Sequence, residues 1–300
     1  MTVPNFLIIG AARSGTTALC NTLGQHPDIY ISSLKEPHFL AFCGDKLAFR
    51  GPGDDVLINR EAVTDFEAYQ GLFSGVRGEA AIGEGSVSTL YYHQRTIDNI
   101  RRFTPNAKLI VILRNPIQRA FSSFLYMMAH GHEPLHDFER ALDEEQQRIS
   151  DNWHHIWHYT RMGLYAGQFA PFLDAFGEDR IKVVLFEDLK SAPTETVENL
   201  FRFLSVNPKF EADSSTQVNR SGIPRSRLLQ HVLYRVSERQ RVKRALKAIV
   251  PLKVREWVRR TNLSHPSMPS SAQPRLNAIF EQDVLQLQEL LNRDLSHWLK

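Results

Sequence analysis

Short apolar runs alternate with helical patterns along the first two thirds of the chain. Five runs rich in apolar residues are predicted as strands, the second being the weakest: Phe6–Ile9, Ile29–Ile31, Ala80–Ile82, Leu109–Leu113 and Lys182–Phe186. Helical periodicity lies between and after them: Ala18–Leu23, Thr96–Phe103, Ile117–Ala129, Phe138–Ile149, Ala166–Phe176 and Val197–Leu204. The alternation predicts an α/β fold, with a mostly parallel central sheet and helices on both of its faces.

The character of the chain changes after Leu204. We predict a single domain with an α/β core over residues 1–206 and a mainly helical, basic C-terminal extension over 207–300. Residues 42–63 are predicted as a long loop, and Leu276–Leu291 as a helix that packs on the core or forms a dimer face. Residues 225–260 carry twelve Lys and Arg but only two acidic residues, so they form a solvated or a substrate-facing surface.

The sequence GAARSGTT, which starts at Gly10, lies between the first predicted strand and the first predicted helix. A glycine-rich turn in this position points backbone N–H groups and a helix N-terminus at one spot, which attracts phosphate or sulfate oxygens. Compared with the nucleotide-triphosphatase loop G-x-x-x-x-G-K-[ST], Gly10, Gly15 and Thr17 fit. Thr16 stands in the lysine position, and Arg13 supplies a cation instead. The turn therefore predicts an anion site that differs from that of an ATPase.

A second anion site is predicted where the strand Leu109–Leu113 ends. A triphosphatase would place a magnesium-binding Asp near here, but this strand is followed by Arg114, a cation that repels a metal. Pro116 then begins a helix, and Ser122 faces inward one or two turns later. Alternatively, Arg114 forms a salt bridge and Ser122 bonds to its own helix backbone. Two anion sites on adjacent strand ends indicate a nucleotide that is phosphorylated at two separate positions.

The segment around Lys35, Glu36 and His38 has poor helix and strand character. We expect it to display Glu36 and His38 on the rim of the site, where Glu36 acts as a general base toward an incoming hydroxyl or amine. The alternative is that Lys35 and Glu36 are a solvated ion pair. Further along, the spacing of His154, His155 and His158 resembles that of three metal ligands. The aromatic residues between them suit an alternative, an acceptor-binding face.

Three motifs in this order resemble the PAPS-dependent sulfotransferases, in particular the carbohydrate (heparan-sulfate-type) branch and its bacterial relatives: GAARSGTT, HPDIYISSLKEPHF and LRNPIQRAFSSF. The resemblance runs from about Pro4 to Val206. It implies a P-loop-like phosphosulfate-binding loop and 3′-phosphoadenosine 5′-phosphosulfate (PAPS) as the donor. The implied product is adenosine 3′,5′-bisphosphate (PAP), and no metal is expected.

The resemblance also implies a role for individual residues. The 5′-phosphosulfate is held by the loop residues Arg13, Ser14, Gly15, Thr16 and Thr17. Arg114 and Ser122 hold the 3′-phosphate, and a looser match assigns Arg220, Ser221 and Gly222 to a loop that closes over the 3′-phosphate and adenine. Glu36 matches the catalytic carboxylate, Arg13 is the cation of the loop, and His38 stands where related enzymes have a supporting histidine.

Two positions depart from the family pattern. Position 13 carries arginine where lysine is usual, and a guanidinium is bulkier and binds bidentately. Gly85 occupies a position where carbohydrate-type members carry a lysine, and Lys35 is the candidate to compensate. These departures concern the catalytic cations and leave the reaction class unchanged.

Composition and charge add little to this picture. The net charge is +3, and the two cysteines, Cys20 and Cys43, cannot form a disulfide framework. No signal-peptide core or transmembrane segment is recognised in the sequence, so we expect a cytoplasmic protein. The expected partner is an acceptor with a hydroxyl or amine, a saccharide, lipid or small molecule, and not nucleic acid. A P-loop kinase or nucleotide-triphosphatase and a polyanion-binding module remain the alternatives.

Overall fold

Five parallel strands form the central sheet of the molecule. They are β1 (Phe6–Gly10), β2 (Ile29–Ile31), β3 (Ala81–Gly85), β4 (Lys108–Leu113) and β5 (Ile181–Leu185), in the spatial order β2-β3-β1-β4-β5. This computed structural model describes residues 2–213 and 266–300, together with the backbone of 223–224 and 263–264, which form a short antiparallel pair. The predicted α/β class with a parallel sheet is confirmed.

Alternate residues of the sheet face two separate apolar layers. On β1, Leu7 and Ile9 belong to the larger layer, whereas Phe6 and Ile8 belong to the smaller one, and all four are buried. Both faces are covered, and the strands therefore read as nearly continuous apolar runs, which is typical of parallel sheets. Because all five strands are parallel, their carboxyl ends meet at one edge of the sheet, where α/β proteins bind their ligands.

Helices connect the strands and close both faces. Along the described part of the chain they are α1 (Thr16–Leu23), α2 (Phe39–Phe42), α3 (Phe66–Gly71), α4 (Ser88–Tyr91), α5 (His93–Phe103), α6 (Pro116–Ala129), α7 (Phe138–Asp143), α8 (Glu145–Ser150), α9 (Tyr165–Phe176), α10 (Phe186–Ser191), α11 (Pro193–Leu204) and a C-terminal helix (Ala272–Leu291). None of these helices has the length and apolar character needed to span a bilayer.

The C-terminal helix packs on the core. Leu276, Phe280, Val284 and Leu287 are fully buried in the larger apolar layer, and the helix lies against α9. Of the two alternatives for this helix, core packing is thus present. The predicted domain boundary at residue 206 and the basic surface at 225–260 remain predictions, since residues 225–262 lie outside the described part of the chain.

Several predicted boundaries are wrong. The stretch Phe138–Ile149 is two helices, because the chain turns at Glu144 and the carboxylate of Glu145 accepts the backbone N–H groups of Thr160 and Arg161. The predicted loop 42–63 contains one π-helical turn over Asp55–Asn59. Strand β3 extends three residues beyond its predicted end, through glycine and glutamate residues that strands ordinarily disfavour.

Strand β3 tolerates its glycines because neighbouring side chains occupy the space beside them. Gly83 pairs with Phe6 of β1, and a Cβ atom at Gly83 would lie 2.2 Å from the Phe6 ring. A β-carbon at Gly85 would lie 2.8 Å from Cys20 Sγ and 3.6 Å from Ile8 Cβ. The two glycines therefore let β1 and α1 pack closely against β3, at the edge where the site is built.

We predict that Gly85→Ala destabilises the protein through Cys20. Overpacking of a filled core lowers the free energy of unfolding by about 1–3 kcal/mol, and removing the sulfur with Cys20→Ala makes room for the new methyl group. Chemical denaturation of both single variants and the double variant measures the coupling. We expect Gly85→Ala to be less damaging in the Cys20→Ala background, by about 0.5 kcal/mol or more; strict additivity would contradict this packing.

Candidate active site

The turn between β1 and α1 presents backbone donors at the carboxyl edge of the sheet. Arg13 and Gly15 adopt left-handed backbone conformations, with φ of 64° and 99°. Gly15, the N-cap residue of α1, provides no side-chain hydrogen bond to the N–H groups of that first turn. Uncapped N–H groups at a helix N-terminus, together with the helix dipole, favour an anion. The glycine-rich turn thus lies between the first strand and the first helix, as predicted from the sequence.

Arg13 connects this turn to α6. Its Nε donates a hydrogen bond to Ser122 Oγ at 3.3 Å, and its guanidinium carbon lies 4.6 Å from the centre of the Tyr126 ring. Ser122 and Tyr126 are one turn apart on α6, so one face of this helix contacts the Arg13 guanidinium. The two predicted anion sites are therefore adjacent parts of one site.

Arg114, directly after β4, completes the cationic side of the site. Its Nη1 donates to the carbonyl oxygen of Arg13 at 3.2 Å, and its guanidinium carbon lies 4.8 Å from the Phe186 ring centre. Tyr165 donates from its hydroxyl to the Arg114 carbonyl oxygen at 3.0 Å. The buried Arg114 Nε has no hydrogen-bond partner among the described residues. A buried cationic donor without a partner is what an incoming phosphate would satisfy.

The two arginines make the site electropositive. Burial lowers the pKa of Arg13, and burial together with the Arg13 charge lowers the pKa of Arg114. The carboxylates of Glu36 and Glu187 act in the opposite direction, on Arg13 and Arg114 respectively, but do not reverse the lowering of either pKa. Arginine nevertheless stays protonated in proteins, so two partly desolvated positive charges lie side by side. An anionic ligand relieves their repulsion.

Glu36 lies across from Arg13, in the loop after β2. Lys35 Nζ contacts Glu36 Oε1 at 2.8 Å, and His38 Nε2 lies 3.8 Å from Glu36 Oε2. The Glu36 side chain is 23% exposed and that of Lys35 49% exposed, so both remain open to solvent. The predicted ion pair between the two residues is present, and it lies beside the cationic site rather than on a remote surface.

The expectation that His38 is displayed on a rim is wrong. Its side chain is buried because the apolar residues of α2 follow it directly into the core. His38 Nδ1 is hydrogen bonded to Ser88 Oγ at 2.8 Å, and the His38 backbone N–H donates to Ser86 Oγ at 3.0 Å. Burial lowers the pKa of His38 to about 4. At neutral pH the imidazole is therefore neutral, a fixed polar group next to Glu36.

The other predicted residues fall into two groups. Ser14 and Thr16 are buried in the turn, and Thr17 is half-buried at the start of α1. These three residues therefore lie at the anion site, as predicted. Arg220, Ser221 and Gly222 lie outside the described residues, and their assignment stays a prediction. No role is predicted from the sequence for Ser86, Tyr126 or Phe186. The helical spacing could have indicated Tyr126, which lies one turn after Ser122, but the contacts of Ser86 and Phe186 are long-range and leave no local pattern.

The three histidines after Trp153 do not converge on one point. His154 Nδ1 contacts Asp54 Oδ1 at 2.6 Å, whereas His158 Nδ1 contacts the Tyr91 hydroxyl at 2.6 Å. Trp157 Nε1 also donates to Asp54 Oδ1, at 2.8 Å. Among the described residues, no group of three or more His, Cys, Asp or Glu side chains is arranged to hold a metal ion. The three histidines instead belong to a buried cluster of aromatic side chains that lies next to His38.

A profile of the Sulfotransferase family matches residues 4–211. The chain belongs to the sulfotransferase family. This confirms the resemblance predicted from the three motifs, and the matched stretch contains the whole described site. The sulfotransferase from Alicyclobacillus acidocaldarius, a solved crystal structure, is 34% identical, with a TM-score of 0.79 and 100% coverage of both chains.

Curated relatives of this sulfotransferase include enzymes named for carbohydrate acceptors. Human carbohydrate sulfotransferase 15 is 28% identical, over 70% of this chain and 45% of the relative. Mouse heparan sulfate glucosamine 3-O-sulfotransferase 6 is 28% identical, over 68% of this chain and 52% of the relative. The chain spans about half the length of these curated relatives.

Proposed function

We propose that this sulfotransferase transfers a sulfuryl group from PAPS to a hydroxyl or amine of a saccharide. The observation that carries the proposal is the joining of two anion sites through Arg13, whose side chain is bonded to Ser122 and whose carbonyl is held by Arg114. PAPS carries anionic groups on both its 3′ and its 5′ side, which suits a double site. The unpartnered Arg114 Nε supports the fit.

In this proposal each residue acts on a different part of the reaction. Glu36 accepts the proton of the acceptor hydroxyl or amine. The freed electron pair forms the new bond to sulfur while the bond between sulfur and the bridging oxygen breaks, and that electron pair remains on the 5′-phosphate of PAP. Arg13 and the N–H groups of the turn stabilise this charge, and Lys35 holds Glu36 in place. Positioning and electrostatic stabilisation supply the rate enhancement.

The catalytic loop is the segment of residues 35–38, which carries Glu36 and His38. A cleft lined in part by Phe42, close to this loop, is the proposed acceptor site. Its volume is about 360 Å³, and its lining mixes aromatic, aliphatic and polar side chains, which is typical of ligand sites. The lining residues are Phe42, Phe49, Tyr91, Tyr92, Trp153, Leu47, Ile149, Asp45, Arg95, Asn152 and His158. The Phe42 ring lies 6.2 Å from the His38 ring. An aromatic lining with polar groups suits a sugar ring, and the names of the curated relatives point to the same class.

The test is transfer of ³⁵S from labelled PAPS to a panel of acceptors, with oligosaccharides, phenols and lipids in separate reactions. We expect label in the saccharide arm. Label found only in the phenol or lipid reactions would support sulfuryl transfer as the activity, but it would overturn the assignment of a saccharide as the acceptor. A wild-type protein that binds PAP yet labels none of the three classes would contradict the proposed function.

Arg114→Ala is expected to weaken PAP binding. Hydrogen bonds to charged groups contribute about 1.5–3 kcal/mol each, so the dissociation constant should rise by roughly 10- to 100-fold. Titration calorimetry with PAP measures the change, and the exposed Arg202→Ala on α11 is the matched control. An unchanged affinity in Arg114→Ala would show that Arg114 does not hold the 3′-phosphate.

A further inference from the structure

A chain of hydrogen bonds connects the central sheet to the loop that carries Glu36. Ser86 Oγ donates to Glu84 Oε2 at 2.7 Å, and the backbone N–H of His38 donates to the same Ser86 Oγ at 3.0 Å. Glu84 and Ser86 are each only 1% exposed. One buried hydroxyl thus links a carboxyl group of β3 to the backbone of the catalytic loop.

The catalytic loop has a backbone that needs such support. Glu36 and His38 both adopt the left-handed conformation, with φ of 58° at each, on either side of Pro37. Residues other than glycine rarely occupy this region, and they remain there only where the surroundings fix them. Besides Ser86, the supporting contacts are the His38–Ser88 hydrogen bond and the bond from the Val63 N–H to the Pro37 carbonyl oxygen.

Glu84 is an unusual residue for the interior of a parallel sheet. It pairs in register with Leu7 of β1, and burial raises its pKa to about 7 while the Ser86 hydrogen bond acts in the opposite direction. The titratable groups that act on it are Glu36 from the catalytic loop and Tyr69 from α3. A buried carboxyl is unfavourable unless its hydrogen bonds are used.

The Glu84 carboxyl sets the orientation of the Ser86 hydroxyl. A hydroxyl has one proton and two lone pairs. When Ser86 donates its proton to Glu84, a lone pair is available for the His38 N–H. Without the Glu84 acceptor, the hydroxyl is free to rotate. The carboxyl of Glu84 therefore determines the direction in which Ser86 accepts, and so fixes the backbone between Glu36 and His38.

We propose that Glu84 is a positioning residue for Glu36, acting through Ser86 and the His38 backbone. The catalytic part of this inference rests on the proposed function, whereas the ordering of the loop does not. The prediction concerns the orientation of a base whose side chain is 23% exposed and which Lys35 also contacts.

Ser86→Ala removes both hydrogen bonds and is the first test. Small displacements of reacting groups lower rates by up to about 100-fold, so we expect kcat for transfer from PAPS to an oligosaccharide to fall by roughly 10- to 100-fold. The affinity for PAP should stay unchanged, because the hydrogen bonds of Ser86 are to Glu84 and to the His38 backbone. Ser123→Ala, which removes a buried hydroxyl on α6 that has no partner among the described residues, is the matched control.

Two further variants separate positioning from a general loss of packing. Glu84→Gln keeps an acceptor oxygen and mimics the protonated carboxyl, so it should retain most of the activity, whereas Glu84→Ala should behave like Ser86→Ala. In a Glu36→Gln background, Ser86→Ala should have almost no further effect on kcat, because the group that it positions has been removed. Equal losses in both backgrounds would overturn the proposal.

Amide hydrogen exchange tests the ordering of the loop without any turnover. We expect the His38 amide to exchange faster in Ser86→Ala than in the wild type, with unchanged protection in β4. Unchanged protection at His38 would overturn the inference and leave the proposed function intact. If the wild type transfers no sulfuryl group but the His38 amide loses protection in Ser86→Ala, the proposed function fails, and Glu84 is retained only as a residue that orders the loop.

Discussion

Glu36→Gln is expected to lower the turnover number by about 10²- to 10⁴-fold, which is the range that general-base catalysis contributes. Glutamine keeps the size and an oxygen of the side chain, and therefore its contact with Lys35, but it cannot accept the proton of the acceptor. The affinity for PAP should not fall, since Glu36 is an anion and lies on the acceptor side of Arg13. Initial rates with labelled PAPS, together with calorimetry, measure both quantities.

The control for this variant is Glu281→Gln, an exposed carboxylate on the C-terminal helix. It makes the same chemical change far from the catalytic loop and should keep the wild-type rate. A Glu36→Gln enzyme that retains near-native turnover would show that another group removes the proton. The buried His38, with its pKa of about 4, would then be the next candidate as the base.

Arg13→Ala is expected to have the second large effect, a fall in kcat of about 10²- to 10³-fold, as for removal of a donor that stabilises charge in a transition state. Unlike Glu36→Gln, it should also weaken PAP binding, because Arg13 belongs to the anion site. Its contacts with Ser122 and Tyr126 fix the guanidinium before the ligand arrives, so little reorganisation is needed. Rates at saturating and limiting PAPS separate the two losses.

Arg13→Lys tests which property of the arginine matters. Lysine keeps the charge but loses the planar group that lies on the Tyr126 ring, so the loss should be smaller than with alanine. If Arg13→Lys is as inactive as Arg13→Ala, the fork geometry is essential rather than the charge. If Arg13→Ala keeps the wild-type kcat, the assignment of Arg13 to the leaving phosphate is wrong.

The sequence was informative where local pattern decides the structure. Apolar runs such as Leu109–Leu113 predict buried strands, and the glycine-rich turn at Gly10 and the Arg114 motif predict two anion sites at one sheet edge. Their spacing cannot show that Arg13 joins them, because its contact with Ser122 spans 109 positions of the chain. The predicted adjacency of the two strand ends is confirmed by the order of the strands, in which β1 and β4 are neighbours.

Other features depend on contacts that no local pattern contains. The hydrogen-bond partners of the buried His38 are Ser86 and Ser88, which are about fifty residues away in sequence. The break between α7 and α8 accompanies the contact of Glu145 with Thr160. The extension of β3 through Gly83 contradicts strand propensity, and is explained only by the Phe6 ring that lies against it. In each case tertiary packing overrides the local preference.

The most direct test of the central claim is calorimetric titration of the wild-type protein with PAP in a buffer that contains a chelator of divalent cations, compared with a titration with ATP and Mg²⁺. The site of Arg13, Arg114 and Ser122 predicts saturable binding of PAP without a divalent cation, and weak or no binding of ATP with Mg²⁺. Saturable binding of ATP that requires Mg²⁺, with no heat from PAP, would contradict the account.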